Sequence, residues 1–310
     1  AFYRALGTGM VISVDSPIDD KVRSAMESLI EDYEHVLSRF RNDSLIAAIG
    51  KAEHGGSFDF PDWCAPLFDL YDALFSATSG AIDPCVGEDL IRLGYDASLS
   101  FTVTQDAPEH LGALRGRAVW GRDVTRHGTT LVTHEPVQLD FGACGKGYLV
   151  DLLGRMLQSS QFVIDAGGDL LIHAEQPISV ALEDPEDQSH AIGIAHIANG
   201  ALCASAPSRR HWNVAVNERT QIAIHHLLNA IDGLPAQQTE ASWAYVPANA
   251  TLNLARDYPT AVADGLATAL FVSDVAQLQR TFDFTYATLD ESRQIAVSRN
   301  FPADLFLRSA

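Results

Sequence analysis

Positively charged residues are scarce in this sequence of 310 residues. It contains 21 Lys and Arg against 40 Asp and Glu, which gives a formal charge of −19 at pH 7. Nucleic-acid binding depends on cations that neutralise phosphates, so this balance argues against a nucleic-acid partner and against attraction to anionic membrane surfaces. An acidic protein can still bind a phosphorylated ligand if a metal ion or backbone amides supply positive potential locally.

Paired cysteines and long apolar runs are also missing. The four cysteines, Cys64, Cys85, Cys144 and Cys203, are widely spaced and form no CxxC pair. Their spacing argues against a zinc knuckle or a disulfide scaffold and predicts buried free thiols. No apolar run is long enough to cross a membrane. Because the sequence begins at Ala1 rather than Met, a leader would not be visible, and we expect a cytoplasmic protein or the mature form of an exported one.

The sequence lacks the signatures of two common nucleotide-binding folds. No GxGxxG follows a strand and no GxxxxGK[ST] is present. Apolar spacing instead predicts helices near residues 20–40, 62–78, 146–157, 260–272 and 274–280. It predicts strands at 9–14, 161–165, 177–182, 201–204, 212–216 and 222–226, a small antiparallel unit at 116–139 and a final hairpin that turns at 290–292.

These elements alternate without a regular βαβ repeat and without a linker rich in Pro, Gly or Ser. We therefore predict the α+β class, with mixed, largely antiparallel sheets and flanking helices. The length permits one domain over residues 1–310, either a single compact unit or two lobes that share a cleft.

Residues 139–148, LDFGACGKGY, form the first segment that suggests chemistry. A strand enters it, three glycines fall within six residues, and a helix leaves it. Glycines let backbone amides approach an anion closely, and a helix N-terminus favours negative charge. Lys146 adds a cation there, and Asp140 can accept hydrogen bonds from a ligand. A tight turn with a surface lysine explains the same pattern, so the segment alone leaves both interpretations open.

Asp264 and Thr268, in ADGLAT, lie four residues apart on a predicted helix and therefore share one face. Both offer oxygen, the ligand atom that magnesium requires, and magnesium usually takes few protein ligands. An Asp in the first turn of a helix can equally serve only to complement the helix dipole.

Three further segments are weaker signals. An Asp-Pro turn occurs in SGAIDP (79–84), adjacent histidines occur in HHLLN (225–229), and paired glycines occur in DAGGD (165–169). Paired histidines suggest acid–base chemistry or metal binding, although a histidine at a strand end is more often structural. Paired glycines indicate a close backbone approach or only a bend.

Taken in chain order, these segments resemble the ApbE family, the FAD:protein FMN transferases. LDFGACGKGYLVD is similar to a family pattern of about LDLGGIAKGYAVD, SGAIDPCVGEDL to SGGAFDPTVGPL, and ADGLATALFVSD to ADALATALFVLG. DAGGD, ASAPSRR and HLLNAIDGLP are similar to NLGGD, TSGDYRR and HIIDPRTGRP, LGT (6–8) to MGT, and SRFRNDS (38–44) to S-x-Y-x-x-x-S. The resemblance runs from residue 6 to the final hairpin. It implies an ApbE-like, T-fold-related architecture with a central cleft for FAD and metal.

The resemblance implies a role for individual residues. Magnesium would be bound by Asp264, Thr268 and the carbonyl oxygens of Ala143 and Ala267. FAD would be contacted by Leu6, Phe40, Ala81, Ile82, Asp83, Asp140, Lys146 and Leu228. His226 aligns with the family's histidine beside the reacting centre, so His226 and Asp264 are both candidates for the general base.

The implied reaction is the magnesium-dependent transfer of FMN from FAD to a Ser or Thr hydroxyl of an acceptor protein, a redox component, with release of AMP. The sequence departs from the family at Leu6 (Met), Phe40 (Tyr), residues 204–207 (TSGD) and residues 229–232 (D-P-R-T). These departures leave two alternatives open: a FAD pyrophosphatase that gives FMN and AMP, and a flavin-binding protein without turnover.

Overall fold

The structure is a computed structural model that describes residues 1–217 and 220–306. Its strands are β1 (Phe2–Ala5), β2 (Thr8–Val14), β3 (Gly56–Asp59), β4 (Val124–His127), β5 (Thr130–Thr133), β6 (Phe162–Asp165), β7 (Asp169–Glu183), β8 (Ala191–Ser205), β9 (His211–Asn217), β10 (Thr220–His225), β11 (Leu228–Asn229), β12 (Leu234–Pro235), β13 (Thr239–Pro247), β14 (Thr285–Asp290), β15 (Ile295–Val297) and β16 (Ala303–Leu305). Its α-helices are α1 (Asp20–Leu37), α2 (Leu45–Gly50), α3 (Ala65–Ala77), α4 (Gly87–Arg92), α5 (Ala107–His110), α6 (Gly142–Gly154), α7 (Asn253–Asp257), α8 (Pro259–Ala269) and α9 (Val275–Leu278).

The chain divides into two compact units. Unit 1 comprises residues 1–30, 143–208 and 237–306, and unit 2 comprises residues 31–142, 209–217 and 220–236. The antiparallel pairing of the named strands, combined with helices in both units, confirms the predicted α+β class. Within the described ranges, every helix is too short or too polar to span a lipid bilayer.

Unit 1 is built on an antiparallel sheet with the strand order β1-β2-β6-β7-β8-β13-β14-β15, and β16 also pairs with β8. Strands β7 and β8 form a long antiparallel hairpin that runs from Asp169 opposite Cys203 to Glu183 opposite Ala191, and its register shifts between His173 and Ile178 and again between Leu182 and Glu183. Alternate residues of the sheet strands point to one face and form an apolar core that includes Ile172 of β7, Trp243 of β13 and Leu289 of β14. This sheet supports α8, which carries three of the four predicted metal ligands, and the fourth, Ala143, lies in α6.

Helix α8 is apolar on nearly all sides, and its residues from Thr260 to Ala267 are buried. Such a helix is stable only inside a core, and α8 packs against β8 and β13. Its N-terminus is capped by α6, because the buried side-chain oxygens of Asp151 accept the Thr260 N–H at 3.1 Å and the Ala261 N–H at 2.8 Å. Gly147 in α6 allows the close contact, since a Cβ there would lie 2.6 Å from the Thr260 carbonyl carbon.

Unit 2 has an aromatic core in which Phe68, Tyr71, Trp120 and Phe141 contact one another edge-to-face or tilted. The sheet β3-β5-β4 and the hairpin β9–β10 belong to this unit. A second apolar cluster is formed by Leu90, Leu93, Ala107, Leu111, Trp212, Ile224 and Leu228.

Most predicted elements are confirmed, with changes at their ends. The helix predicted from Lys146 begins at Gly142, because the Gly142 N–H donates to the Asp140 side chain at 2.6 Å and so starts the helix earlier. The strands predicted at 177–182 and 201–204 are parts of the much longer β7 and β8. All four cysteines are buried free thiols, as predicted.

Candidate functional site

A lysine between two buried carboxylates lies where α6 meets α8 in unit 1. Lys146 Nζ forms an ion pair with Asp169 Oδ2 and another with Asp264 Oδ1, the latter at 3.2 Å. The side chains of Asp169 and Asp264 are 1% and 2% exposed, whereas that of Lys146 is 35% exposed. The Gly147 N–H donates to Asp264 Oδ2 at 3.0 Å. Asp264 and Lys146 are predicted site residues. Asp169 was noted only as the end of the DAGGD segment and was not predicted to bind a ligand.

The electrostatics of this cluster favour an added cation. Burial raises the pKa of Asp264, the charge of Asp169 raises it further, and Lys146 and the Gly147 N–H oppose the rise. Burial works to lower the pKa of Lys146, but Asp169 and Asp264 outweigh it and raise that pKa. Asp169 Oδ1 is buried and accepts no hydrogen bond from any described residue. When ionised, the cluster carries two negative charges and one positive charge, so one negative charge is not balanced.

The predicted magnesium ligands Ala143, Asp264 and Thr268 fall on two neighbouring helices of unit 1. In a regular α-helix the N–H of residue 147 faces the carbonyl of residue 143, and this same N–H reaches Asp264. The Ala143 carbonyl therefore lies close to the Asp264 carboxylate. Thr268 follows Asp264 by one helical turn in α8. This set consists of hard oxygen donors, which fits magnesium.

The fourth predicted ligand, the Ala267 carbonyl, already accepts a hydrogen bond from Ser242 Oγ at 2.6 Å, and Ala267 is buried. Among the described residues, no three His, Cys, Asp or Glu side chains form a metal-binding cluster. The predicted set differs from such a cluster because it contains one carboxylate, a hydroxyl and backbone carbonyls.

Two predicted flavin contacts in unit 2, Phe40 and Asp140, are joined by Arg39. The Arg39 side chain is 6% exposed, and its Nε donates to Asp140 Oδ2. Its guanidinium carbon lies 4.2 Å from the centre of the Phe40 ring and 4.7 Å from that of Tyr95, whose carbonyl oxygen accepts from Nη1 at 2.6 Å. Arg39, which the sequence analysis did not name, therefore holds these two predicted contacts together. Its only sequence signal was its position beside Phe40.

A buried arginine of unit 2, Arg117, connects the predicted contacts at residues 81–83 with Ala230, two residues after the predicted contact Leu228. The Ala230 N–H donates to the Ala81 carbonyl at 3.0 Å, and Arg117 Nη2 donates to the Ala230 carbonyl at 2.7 Å. Arg117 also pairs with Asp89 at 2.8 Å and approaches Asp83 at 3.6 Å, and all three side chains are at most 1% exposed.

Burial raises the pKa of both acidic partners of Arg117, and the guanidinium opposes this rise. The pKa of Asp89 reaches about 6. Asp83 also accepts the Cys85 N–H at 2.8 Å, so its side chain organises the turn in which the flavin contacts are predicted.

His226 lies in unit 2 directly after β10 and is partly exposed. Its Nδ1 lies 3.2 Å from the Arg210 carbonyl oxygen. Since a carbonyl can only accept, this hydrogen bond places the proton on Nδ1 and leaves Nε2 as the basic nitrogen. Asp232, which would be unfavourable near a phosphate, uses its side chain to accept the Leu234 N–H in a turn at 2.9 Å.

Leu6, the remaining predicted contact, occupies the turn between β1 and β2 in unit 1 with a φ of 53°. Leu6, Ala143, Lys146, Asp264, Ala267 and Thr268 thus belong to unit 1, while Phe40, residues 81–83, Asp140, His226 and Leu228 belong to unit 2.

Comparison with known proteins gives similarity over nearly all of the chain. Residues 6–288 match the model of the ApbE family. The chain is similar to a FAD:protein FMN transferase of Klebsiella pneumoniae, with 23% identity over 274 residues that cover 84% of this chain and 74% of the relative. A protein of the same name from Treponema pallidum is 27% identical over 286 residues, which cover 81% and 72% of the two chains.

Two solved structures share the fold. The ApbE protein of Thermotoga maritima superposes with a TM-score of 0.78 at 20% identity and 97% coverage of both chains. The flavin transferase ApbE of Vibrio cholerae gives 0.75 at 17% identity and 96% coverage of both. At these identities the structural likeness establishes the fold alone.

Proposed function

The chain belongs to the ApbE family, and from this premise we propose that it transfers FMN from FAD to a Ser or Thr hydroxyl of an acceptor protein, in a magnesium-dependent reaction that releases AMP. Membership of the family and the shared name of two relatives support the general activity, a flavin transferase with a protein acceptor. The magnesium, the hydroxyl acceptor and the AMP product are the specific parts of this proposal.

The observation that carries the proposal is the position of Asp264. Its carboxylate is buried, lies against the N–H of Gly147, and shares Lys146 with a second buried carboxylate, Asp169. Burying two carboxylates for one ammonium is costly, and perturbed buried acids cluster at functional sites. The nearby Ala143 carbonyl and the Thr268 hydroxyl supply further oxygen ligands of the kind magnesium prefers.

In the proposed reaction the acceptor hydroxyl attacks the FMN phosphorus of the FAD pyrophosphate, and the bond from this phosphorus to the bridging oxygen breaks. AMP leaves with that oxygen, and FMN remains on the acceptor as a phosphoester. Bound magnesium would neutralise the charge that develops on the pyrophosphate oxygens. Lys146 would offer a cation to the same phosphates, because its ammonium lies beside Asp264 and its side chain is partly exposed.

A base must take the proton of the attacking hydroxyl, and we assign this role to His226 rather than Asp264. Both oxygens of Asp264 have partners, Lys146 on Oδ1 and Gly147 on Oδ2. Histidine is the side chain that most often serves as a general base, and the hydrogen bond from Nδ1 to the Arg210 carbonyl fixes the tautomer of neutral His226. Asp264 then acts as a ligand and His226 as the general base.

The proposal is tested by incubating the chain with FAD and Mg²⁺, with and without a family-type acceptor domain, while AMP release and the intact mass of the acceptor are followed. We expect AMP together with an acceptor that gains the mass of FMN. AMP without this gain would identify the alternative reaction, hydrolysis of FAD by water. FAD binding without any AMP would show a flavin-binding protein and refute the catalytic proposal.

Two variants test the metal assignment in the same assay. Asp264→Asn keeps the size of the side chain but removes its charge, so we expect AMP release to fall at least 100-fold. Asp257→Asn is the matched control, because Asp257 lies seven residues earlier and its side chain is about half exposed and pairs with Arg256 at 3.5 Å. If Asp264→Asn keeps its magnesium-dependent turnover, Asp264 is not a metal ligand.

A further inference from the structure

Two serines on neighbouring strands lie side by side against α8 in unit 1. Ser205 at the end of β8 and Ser242 in β13 are directly opposite each other in the antiparallel pair. Opposite residues in such a pair point to the same face with Cβ atoms about 5 Å apart. Ser242 is completely buried and Ser205 is partly exposed. They contact consecutive residues of α8: Ser242 contacts Ala267, and Ser205 contacts Thr268.

Ser242 replaces a missing helical hydrogen bond. In a regular α-helix the Ala267 carbonyl would accept the N–H of Phe271, but that N–H donates to the Thr268 carbonyl at 3.2 Å because the helix tightens at its end. The Ser242 hydroxyl donates to the Ala267 carbonyl at 2.6 Å instead. This buried bond attaches the last turn of α8 to the sheet and so fixes the backbone from which the Thr268 side chain projects.

Ser205 acts on the side chain itself. Its Oγ lies 3.5 Å from Thr268 Oγ1, at the outer limit of hydrogen bonding, and either hydroxyl can be the donor. A hydroxyl that offers its lone pair to a cation must direct its proton elsewhere, and Ser205 Oγ is an acceptor in the right place. Partners of this kind orient metal ligands and raise their affinity for the metal.

We propose that Ser205 and Ser242 are positioning residues for a cation bound by Thr268: Ser242 holds the helix end, and Ser205 accepts the Thr268 proton. This inference rests on the magnesium site of the proposed function and adds two residues to it. It also gives a role to Ser205 in the segment 204–207, where the family pattern TSGD has otherwise changed.

The test measures the affinity of the purified full chain for Mn²⁺, as a stand-in for Mg²⁺, by electron paramagnetic resonance without flavin. Only the binding that is lost in Asp264→Asn is counted, which removes weak binding elsewhere on an acidic surface. We expect Ser205→Ala and Ser242→Ala each to bind Mn²⁺ about 10-fold more weakly. In the double variant Ser205→Ala/Thr268→Ala the affinity should equal that of Thr268→Ala alone, because Ser205 acts through Thr268.

Ser298→Ala is the matched control. Ser298 also bonds to the backbone of the same sheet, because its Oγ accepts the Tyr286 N–H at 2.9 Å, but this bond is made to β14 and not to α8. It should lose thermal stability without losing Mn²⁺ affinity. Since the buried Ser242→Ala variant risks misfolding, Ser205→Ala, at a partly exposed position, provides the independent test.

Three outcomes separate the inference from its premise. The inference is supported if the serine variants bind Mn²⁺ more weakly and if Ser205→Ala has no further effect on the affinity when Thr268 is already alanine. Wild-type binding that is unchanged in both serine variants overturns this inference and leaves the magnesium site intact. A wild-type chain with no saturable Mn²⁺ binding overturns the magnesium part of the proposed function, and this inference with it.

Discussion

Gly147 allows α6 and α8 to approach closely, and the substitution Gly147→Ala tests how closely. A Cβ at this position would lie 2.6 Å from the Thr260 carbonyl carbon, 2.9 Å from the Ala261 nitrogen, and nearer still to the Thr260 oxygen. These are backbone atoms, and Asp151 holds both residues through their N–H groups. They cannot move aside without breaking this cap, so the two helices must separate.

The magnitude follows from three contributions. Overpacking against a rigid backbone costs about 1–3 kcal/mol. Separation of the helices weakens the bond from the Gly147 N–H to the Asp264 carboxylate, and a hydrogen bond to a charged group contributes about 1.5–3 kcal/mol. Alanine gains about 1 kcal/mol over glycine inside a helix. We therefore expect Gly147→Ala to lower the free energy of unfolding by about 1.5–5 kcal/mol.

The assay is urea unfolding followed by circular dichroism, with Gly154→Ala as the control in the same helix. A Cβ at Gly154 would meet mainly the Leu171 side chain, 2.7 Å from Cδ2, which can rotate away. Gly154→Ala should therefore cost much less than Gly147→Ala. If Gly147→Ala proves as stable as the wild type, the close packing of α6 on α8 described here is wrong.

Three further variants address two buried groups and the proposed general base. Burial raises the pKa of Asp151 to about 7, so below this pH its carboxyl is protonated in the folded state, whereas in the unfolded state it ionises above about pH 4. The stability that this protonated carboxyl contributes is complete below about pH 4 and is lost as the pH rises through 7, by roughly 4 kcal/mol at most. In urea titrations the free-energy difference between the wild type and Asp151→Asn should therefore shrink over this pH range. A difference that stays constant with pH would contradict the reasoning. Arg117→Met should destabilise the chain by about 3–5 kcal/mol in thermal unfolding because Asp83 and Asp89 would stay buried without a counter-charge; an unchanged unfolding temperature would show that these acids are neutral. His226→Gln should slow AMP release in the presence of acceptor about 10²–10⁴-fold while FAD binding, measured by fluorescence, is retained; wild-type rates would exclude His226 as the base.

Much of the fold and part of the site could be predicted because their signals are local in the chain. The apolar spacing of residues 20–40 predicts α1, and the four-residue spacing of Asp264 and Thr268 places them on one helix face without knowledge of any partner. The order of the motifs identified the family, which the match over residues 6–288 confirms. The roles of the individual site residues stay predictions.

The extent of β7 and β8 was underestimated for a physical reason. Only short stretches of these strands alternate clearly between apolar and polar residues, whereas the strands are defined by hydrogen bonds between residues 169–183 and 191–205. The start of α6 was likewise placed too late, since its N-terminal bond to Asp140 depends on backbone geometry that glycines do not reveal.

What the sequence by itself determined is therefore the class of the fold, the family, and the identity of groups that can bind a cation or a phosphate. Which groups surround them was decided by the tertiary structure alone. Asp169 reaches Lys146, Ser242 reaches Ala267, and Gly147 reaches Asp264 across 23, 25 and 117 residues of chain. Contacts of this kind arise from the packing of α6 and α8 on the sheet, and no local pattern of residues encodes them.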